Sequence, residues 1–248
     1  MHFSILTQFP EMFENVLNSS ILFKASQKGL ISFNVVNIRD YTKDKHNRTD
    51  DTPFGGGVGM VMTPQPAFDA LRSLQAEGKR ILYMSPRGKM LDKEMAEGLA
   101  SEKEVVILCG HYEGIDQRII ERWNMEEVSI GDYILTGGEL PAMVLIDTVS
   151  RLIPGVLSSE ESSYQESIYS GLLEADMYTK PRSYEDLEVP EVLFSGNHKL
   201  IHLWQFENSL RKTKQNRPDL FEKYINSIDI NDLSKEEKKV LNIVVSED

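Results

Sequence analysis

The stretch Ser129-Ile130-Gly131-Asp132-Tyr133-Ile134-Leu135-Thr136-Gly137-Gly138-Glu139-Leu140-Pro141-Ala142-Met143 decides how the rest of the chain is interpreted. A short apolar segment leads into two glycine-bearing turns, and these lead into a predicted apolar helix from Met143 to Val149. Glycine lets the backbone adopt positive φ and approach a ligand or another chain segment closely. On glycine content alone, the stretch is equally typical of a tight connection between a strand and a helix.

Two further loops of the same kind favour a ligand site. Cys109-Gly110-His111-Tyr112-Glu113-Gly114-Ile115-Asp116 follows the apolar segment Val105 to Leu108, and Ser85-Pro86-Arg87-Gly88 follows Ile81 to Met84. Three glycine turns at the ends of three apolar strands predict a crevice of polar backbone. In open α/β sheets, small ligands bind in such a crevice.

Composition excludes several classes of protein. The chain has 248 residues, a formal net charge of -12 and a pI near 5.0, which argues against a protein that coats DNA or RNA non-specifically. A local basic patch can still serve a specific RNA enzyme. The single Cys109 excludes an internal disulfide and a cysteine-based metal cluster. With no signal-peptide pattern and no apolar run long enough to span a bilayer, we predict a cytoplasmic protein without membrane association.

Strand-like and helix-like segments alternate in the first part of the chain, which predicts an α/β fold with a mostly parallel sheet. The predicted strands are His2–Leu6, Phe33–Val36, Ile81–Met84, Val105–Cys109 and Val128–Ile130. The predicted helices are Glu11–Leu17, Pro66–Glu77, Lys93–Leu99, Asp116–Trp123 and Pro141–Leu152.

The alternation stops after Pro154. The segment Ser158–Ser167 is poor in aliphatic residues, which predicts a linker or loop. Helices are predicted beyond it at Lys199–Arg211, Asp219–Ile225 and Lys235–Val244. We therefore predict a first domain over residues 1–157, a flexible linker or lid over 158–173 and a smaller C-terminal helical domain over 174–248.

The known phosphate-binding fingerprints are missing. The glycine-rich loop from Asp50 to Met60 does not match G-x-G-x-x-G, and no strand pattern precedes it. Arg87-Gly88-Lys89-Met90 lacks the spacing and the Ser/Thr of a Walker A loop. Enzymes that use NAD or ATP are therefore disfavoured.

Two basic segments are candidates for RNA contact. His46 lies in the segment Lys43–Arg48, and a second cluster comprises Arg211, Lys212, Lys214 and Arg217. A solvated surface is the simpler interpretation of each. The second cluster favours an RNA-backbone contact more strongly, because it concentrates positive charge within an acidic chain.

Six motifs occur in one order and spacing that is specific to a known family. They are Phe9–Phe13, Asp50–Met60, Cys109–Asp116, Ser129–Met143, Arg151–Leu157 and Leu193–His198. Together they resemble the bacterial tRNA (guanine-N1)-methyltransferases of the TrmD family, which methylate the guanosine just 3′ of the anticodon. The resemblance covers nearly the whole chain and thins only after about Ile225.

The resemblance implies a fold of the SPOUT class, in which the glycine loops form a deep trefoil knot. It also implies a homodimer with active sites at the subunit interface, and S-adenosylmethionine bound in the knot. The implied cofactor contacts are Tyr83, Met84, Ser85, Pro86, Gly88, Gly110, Tyr112, Glu113, Gly114, Ser129, Ile130, Gly131, Tyr133, Leu135, Gly137, Gly138 and Pro141.

The resemblance also implies the catalytic and tRNA-binding groups. Glu166 matches the position of the family's general base, where aspartate is usual, and Arg151 or a bound Mg²⁺ would stabilise charge on the target base. Glu174 also replaces a common aspartate. The implied contacts to the anticodon arm are His46, Asp50, Glu174, Arg211, Lys212, Lys214 and Arg217. No metal-binding motif is visible.

Two alternatives from other classes stay open on the sequence. One is a different α/β enzyme that uses a nucleotide. The other is a tRNA-binding protein of the same fold whose catalysis is impaired by the substitutions at Glu166 and Glu174. An assay for methylguanosine in unmodified tRNA separates these alternatives from the methyltransferase.

Overall fold

The computed structural model describes residues 1–157 and 171–247. The chain divides into two compact units, Met1–Glu160 and Glu161–Asp248, and each is described by itself. The predicted boundaries of the linker, residues 158–173, fall largely outside the described residues and stay a prediction.

The first unit alternates strands and helices, as predicted. In chain order its elements are β1 (His2–Thr7), α1 (Glu11–Leu17), α2 (Ser20–Gln27), β2 (Ser32–Asn37), β3 (Asp50–Asp51), β4 (Val61–Met62), α3 (Pro64–Ser73), β5 (Arg80–Met90), α4 (Lys93–Ala100), β6 (Glu104–Cys109), α5 (Gln117–Trp123), β7 (Glu126–Ser129) and α6 (Glu139–Ser150).

Five strands form one parallel sheet in the order β2-β1-β6-β5-β7. The prediction of a parallel sheet is therefore confirmed. The central strands β1 and β6 are buried at every position except the first. A parallel sheet covered on both faces requires such continuous apolar strands. The short strands β3 and β4 form a separate antiparallel pair on either side of the glycine-rich loop.

The prediction that a turn ends the third apolar strand after Met84 is wrong. Strand β5 continues to Met90, and Val128 of β7 pairs with both Met84 and Lys89. The four residues between Met84 and Lys89 therefore bulge out of the ladder, and pairing resumes beyond them. A Cβ on Gly88 would lie 2.3 Å from the backbone of Glu127 and Val128. Glycine is needed at position 88 because the backbones of β5 and β7 are in direct contact there.

Several predicted boundaries also differ. Helix α3 begins at Pro64 and ends at Ser73 rather than spanning 66–77, because Gln75 has a φ of +49° that cannot continue a helix. Strand β7 covers 126–129 rather than 128–130, since its glutamates pair with Arg80 and Arg87 and give no apolar signal. Helix α6 covers 139–150 rather than 141–152.

The second unit is mainly helical, as predicted. It contains the hairpin β8 (Ser183–Tyr184) and β9 (Leu187–Glu188), followed by α7 (His198–Asn216), α8 (Pro218–Ser227) and α9 (Lys235–Ser246). Helix α9 starts with a capping box between Ser234 and Glu237, which confirms the predicted start. The helices enclose a small core of Leu172, Leu210, Val240, Leu241 and Val244. Within the described residues, no helix is long and apolar enough to cross a membrane.

Candidate active site

A cavity of about 440 Å³ opens at the bulge of β5 and at the carboxyl ends of β6 and β7. Its size lies within the range of small-molecule sites. The loops after β6 and β7 line it together with Ser85, Pro86 and Arg87 of the β5 bulge. The predicted crevice is therefore confirmed, but its third segment is a bulge within a strand rather than a turn at the end of one. The lining includes these predicted cofactor contacts: Tyr83, Met84, Ser85, Pro86, Gly110, Tyr112, Glu113, Gly114, Ser129, Ile130, Gly131, Tyr133, Leu135, Gly137, Gly138 and Pro141. Gly88 does not line the cavity but packs on β7 behind it.

Glycine is required in the cavity wall because backbone segments approach each other closely. The Gly138 amide donates to the Gly110 carbonyl at 2.9 Å, which ties the third loop to the end of β6. A Cβ on Gly138 would lie 2.8 Å from Cys109 Cα, and a Cβ on Gly110 would lie 2.6 Å from the Tyr83 ring. These contacts leave no room for a side chain at either position.

Tyr83 and Cys109 are buried beside the cavity. Burial raises the pKa of the Tyr83 hydroxyl above its usual range. Burial also raises the pKa of the Cys109 thiol well above its ordinary value, and the charge of Glu139 adds to this effect. Cys109 is fully buried and is therefore a small apolar packing residue, since the thiolate is the reactive form of cysteine.

A polar cluster of Thr7, Glu139 and His111 lies at the cavity wall. Thr7 and Glu139 are buried, and the half-buried His111 lines the cavity. Thr7 Oγ1 donates to Glu139 Oε1 at 2.6 Å, and His111 Nε2 lies 2.7 Å from Glu139 Oε2. The cluster joins the end of β1, the loop after β6 and the start of α6. Sequence reasoning missed it. The available signal was one carboxylate at the start of an otherwise apolar helix.

A second polar network links the predicted tRNA residue Asp50 to the cofactor loop. Gln8 Oε1 accepts from Arg39 Nη2 at 2.8 Å and from the Tyr112 hydroxyl at 3.4 Å. Burial, and then a hydrogen bond to Asp50, raise the pKa of Tyr112. Gln8 Nε2 is buried and has no hydrogen-bond partner among the described residues. Tyr112 itself has a φ of +59°, so this network helps to hold a strained backbone.

Arg151 does not lie at the cavity of its own chain. Gly138 and Pro141 line the cavity at the first turn of α6, whereas Arg151 caps the other end of this 12-residue helix. At 1.5 Å per residue the helix is about 18 Å long. The second predicted catalytic residue, Glu166, lies outside the described residues.

The predicted tRNA-binding cations of the second unit all have intramolecular partners. Arg211 pairs with Glu207 and Glu247, Lys212 with Asp176, and Arg217 with Asp219. Lys214 donates to backbone carbonyls of α9 and the residue that follows it. The cluster is thus less basic than the sequence suggests. Exposed ion pairs of this kind are weak, however, and can exchange partners.

The remaining predicted tRNA contacts are on the surface. His46 lies in an exposed loop of the first unit, and its amide donates to Asp44. Glu174 is exposed in the second unit. Among the described residues, no group of three or more His, Cys, Asp or Glu side chains could hold a metal ion.

Fold and cavity together define an α/β protein with a nucleotide-sized ligand site at the carboxyl edge of a parallel sheet. The family model described as tRNA (Guanine-1)-methyltransferase TrmD matches residues 1–223. The chain belongs to this family.

Curated relatives support the same family. A tRNA (guanine-N(1)-)-methyltransferase of Ruminiclostridium cellulolyticum is 55% identical over 230 residues, which cover 91% of this chain and 98% of the relative. The enzyme of the same name from Clostridioides difficile is 50% identical and covers 90% of this chain and 98% of the relative. That of Bacillus cereus is 49% identical over the full length of both chains.

Proposed function

We propose that this protein transfers a methyl group from S-adenosylmethionine to N1 of guanosine 37 in tRNA, 3′ of the anticodon. The observation that carries the proposal is the cavity, which brings the predicted cofactor contacts other than Gly88 together in a chain of this family. Gly110 packs against the Tyr83 ring and Gly138 against the backbone of Cys109, so bare main chain forms this part of the wall and can contact a nucleoside. The alternatives of a nucleotide-using enzyme of another kind and of an impaired tRNA-binding protein are not favoured.

The chain's own residues would orient the substrate and move one proton. S-adenosylmethionine, when bound, supplies an electrophilic methyl group on a sulfonium. Guanine N1 carries a proton and becomes nucleophilic when that proton leaves, so Glu166 would accept it. Arg151 would stabilise the negative charge that develops on guanine O6, a role that Mg²⁺ could share. Alignment of the reacting atoms in the closed site supplies much of the acceleration.

The knot is part of the proposal. In it, the loops after β6 and β7 would thread one another next to the cavity. The hydrogen bond between Gly138 and Gly110 supports the idea, because it holds these two loops in direct backbone contact. A threaded loop is rare in proteins, and its presence would explain why so many glycines lie in one small region.

A homodimer would complete the site. Arg151 lies at the far end of α6 from its own cavity, so a second copy of the chain would have to supply it. Helices α1 and α6 pack together, and each exposes an apolar pair four residues apart, Met12 with Val16 and Leu140 with Val144. Residues with that spacing share one helix face. These faces are the surfaces that the second copy would cover.

Sedimentation is expected to show a particle of twice the 28.3 kDa chain mass. Replacing Leu140 and Val144 together by glutamate should convert it to a monomer and reduce methyl transfer to background, because buried charges destabilise an interface. Ile243→Glu, at an exposed apolar position in the other unit, is the matched control and should stay dimeric and active. A monomeric double variant with full activity would refute the shared site.

Neutralising Arg211, Lys212, Lys214 and Arg217 to glutamine is expected to weaken tRNA binding and to flatten its salt dependence. Each lost phosphate contact lowers the slope of log K against log salt by roughly 0.7–0.9. Filter binding at several salt concentrations measures the slope. Thermal unfolding must be followed in parallel, because these side chains also hold elements of the second unit together.

A variant with Lys24, Lys28, Lys103 and Arg122 of the first unit changed to glutamine loses the same four charges and is the control for net charge. S-adenosylmethionine affinity should stay constant in both variants. If the slope of log K against log salt is unchanged in the variant of the second unit, the four cations replaced there have a purely structural role.

The proposed activity is tested by incubating unmodified tRNA with the protein and analysing its nucleosides by mass spectrometry. We expect 1-methylguanosine at position 37 only when S-adenosylmethionine is present, and none in a tRNA whose residue 37 is adenosine. Addition of a chelator tests the Mg²⁺ requirement, which stays a prediction, as does the cytoplasmic location. Absence of the methylated nucleoside would leave the impaired tRNA-binding protein as the better description.

A further inference from the structure

We propose that the buried carboxylate of Glu139 makes the cavity prefer the positively charged methyl donor over its neutral product. This inference rests on the proposed function, since the charge has this effect only if the cavity takes S-adenosylmethionine. In the reaction, the methyl carbon–sulfur bond breaks and its electron pair stays on sulfur, while the methyl group bonds to guanine N1 and the N1 proton goes to the base. The sulfonium thereby becomes an uncharged thioether.

Glu139 holds its charge in a fixed position. It is only 1% exposed, and both carboxylate oxygens have a partner in Thr7 or His111. A carboxylate can only accept, so His111 Nε2 carries the hydrogen in this pair. Thr7 Oγ1 also accepts from the Phe9 amide at 2.9 Å, which orients its own hydrogen toward Glu139. Two hydrogen bonds, one from each side, therefore hold the carboxylate in place.

The carboxylate lies directly behind the cavity wall. A Cβ on Gly137, which lines the cavity, would be 2.6 Å from Glu139 Oε2. The nearby Cys109 thiol also responds to the charge of Glu139. Glu139 is almost fully buried, and an ionic interaction is much stronger in such a position than between exposed groups.

The other charged groups of the cavity lining are screened. Glu113 is exposed to solvent, and Arg87 pairs with Glu127 at 3.2 Å. Exposed charges interact weakly with a ligand at physiological ionic strength. Among the described lining residues and those just behind them, Glu139 is therefore the buried charge that a ligand cation would sense.

This charge should affect binding more than the chemical step. A carboxylate that stabilises the sulfonium lowers the energy of the bound donor, and the stabilisation fades as the sulfur loses its charge. Such binding lowers KM without raising kcat. The uncharged product does not gain this stabilisation, so it is held less tightly than the donor.

Calorimetry with S-adenosylmethionine and S-adenosylhomocysteine tests the inference on Glu139→Gln. The amide can accept from Thr7 and donate to the other tautomer of His111, so the packing is preserved. We expect the Kd for S-adenosylmethionine to rise roughly tenfold and that for S-adenosylhomocysteine to change less than about twofold. In steady state, KM should rise while kcat stays near the wild-type value. An equal loss of affinity for both ligands, which leaves the ratio of their Kd values unchanged, would overturn the inference.

A matched pair at His111 keeps the test decisive if Glu139→Gln folds poorly. His111→Gln places an uncharged N–H donor beside Glu139 and should keep the preference for the charged ligand. His111→Lys places a permanent positive charge on Glu139 and should remove most of that preference. If the ratio of the Kd values for S-adenosylhomocysteine and S-adenosylmethionine is the same in the two variants, the charge of Glu139 has no role in the preference. Wild-type protein that binds neither ligand would instead refute the proposed function.

Discussion

Replacing Gly138 by valine is expected to abolish S-adenosylmethionine binding. A Cβ at this position would lie 2.8 Å from Cys109 Cα and 2.9 Å from Gly110 N. Both are backbone atoms at the end of the buried strand β6, so neither can move aside as a flexible side chain would. Gly138 has a φ of −84°, which any residue adopts, and the expected loss is therefore purely steric.

The valine variant should force the third glycine loop away from the second and break the hydrogen bond between Gly138 and Gly110. Calorimetry should then detect no heat of binding, whereas circular dichroism should still show the helices and strands. Gly138→Ala carries the same Cβ, which meets the same backbone atoms, and should also lose most of the binding. Undiminished affinity in a folded valine variant would refute the assignment of this cavity to the cofactor.

Gly98→Ala is the matched control. This glycine lies inside α4, and a Cβ there would have an ordinary contact, 3.5 Å from Arg80 Nη1. The variant should bind S-adenosylmethionine like the parent. It should also be more stable by about 0.8–1 kcal/mol, the difference in helix propensity between glycine and alanine.

Replacing Glu166 by glutamine is expected to lower the rate of methyl transfer by roughly 10²–10⁴-fold. Glutamine keeps the size of the side chain but cannot accept the N1 proton. Single-turnover measurements with saturating tRNA and cofactor isolate this step from binding. The affinity for S-adenosylmethionine should stay unchanged, because the residues assigned to the cofactor are elsewhere.

Glu166→Asp restores the residue that is usual in the family and should keep clear activity. Glutamate reaches one methylene farther than aspartate, and we expect the segment that carries it to accommodate the difference. Methylation at the parental rate by Glu166→Gln would show that Glu166 is not the base. Glu161→Gln and Glu174→Gln, measured in parallel, would then identify whether a neighbouring carboxylate takes the proton.

The sequence by itself determined the local structure and the family. Apolar segments such as Val105–Cys109 predicted the strands, and the six ordered motifs predicted the family to which the chain belongs. The three glycine loops predicted where the cavity forms. These features could be read because hydrophobic periodicity and turn residues report on neighbours along the chain.

Only the tertiary structure decided which distant residues meet. The strand order, the continuation of β5 to Met90 and the partners of the basic cluster depend on segments far apart in sequence. Thr7, His111 and Glu139 are separated by 28 to 132 positions, yet they form one polar cluster. Arg151 resembles a catalytic residue in sequence but lies at the far end of α6 from its own cavity. Such contacts depend on how the whole core packs, and a local pattern carries no information about that packing.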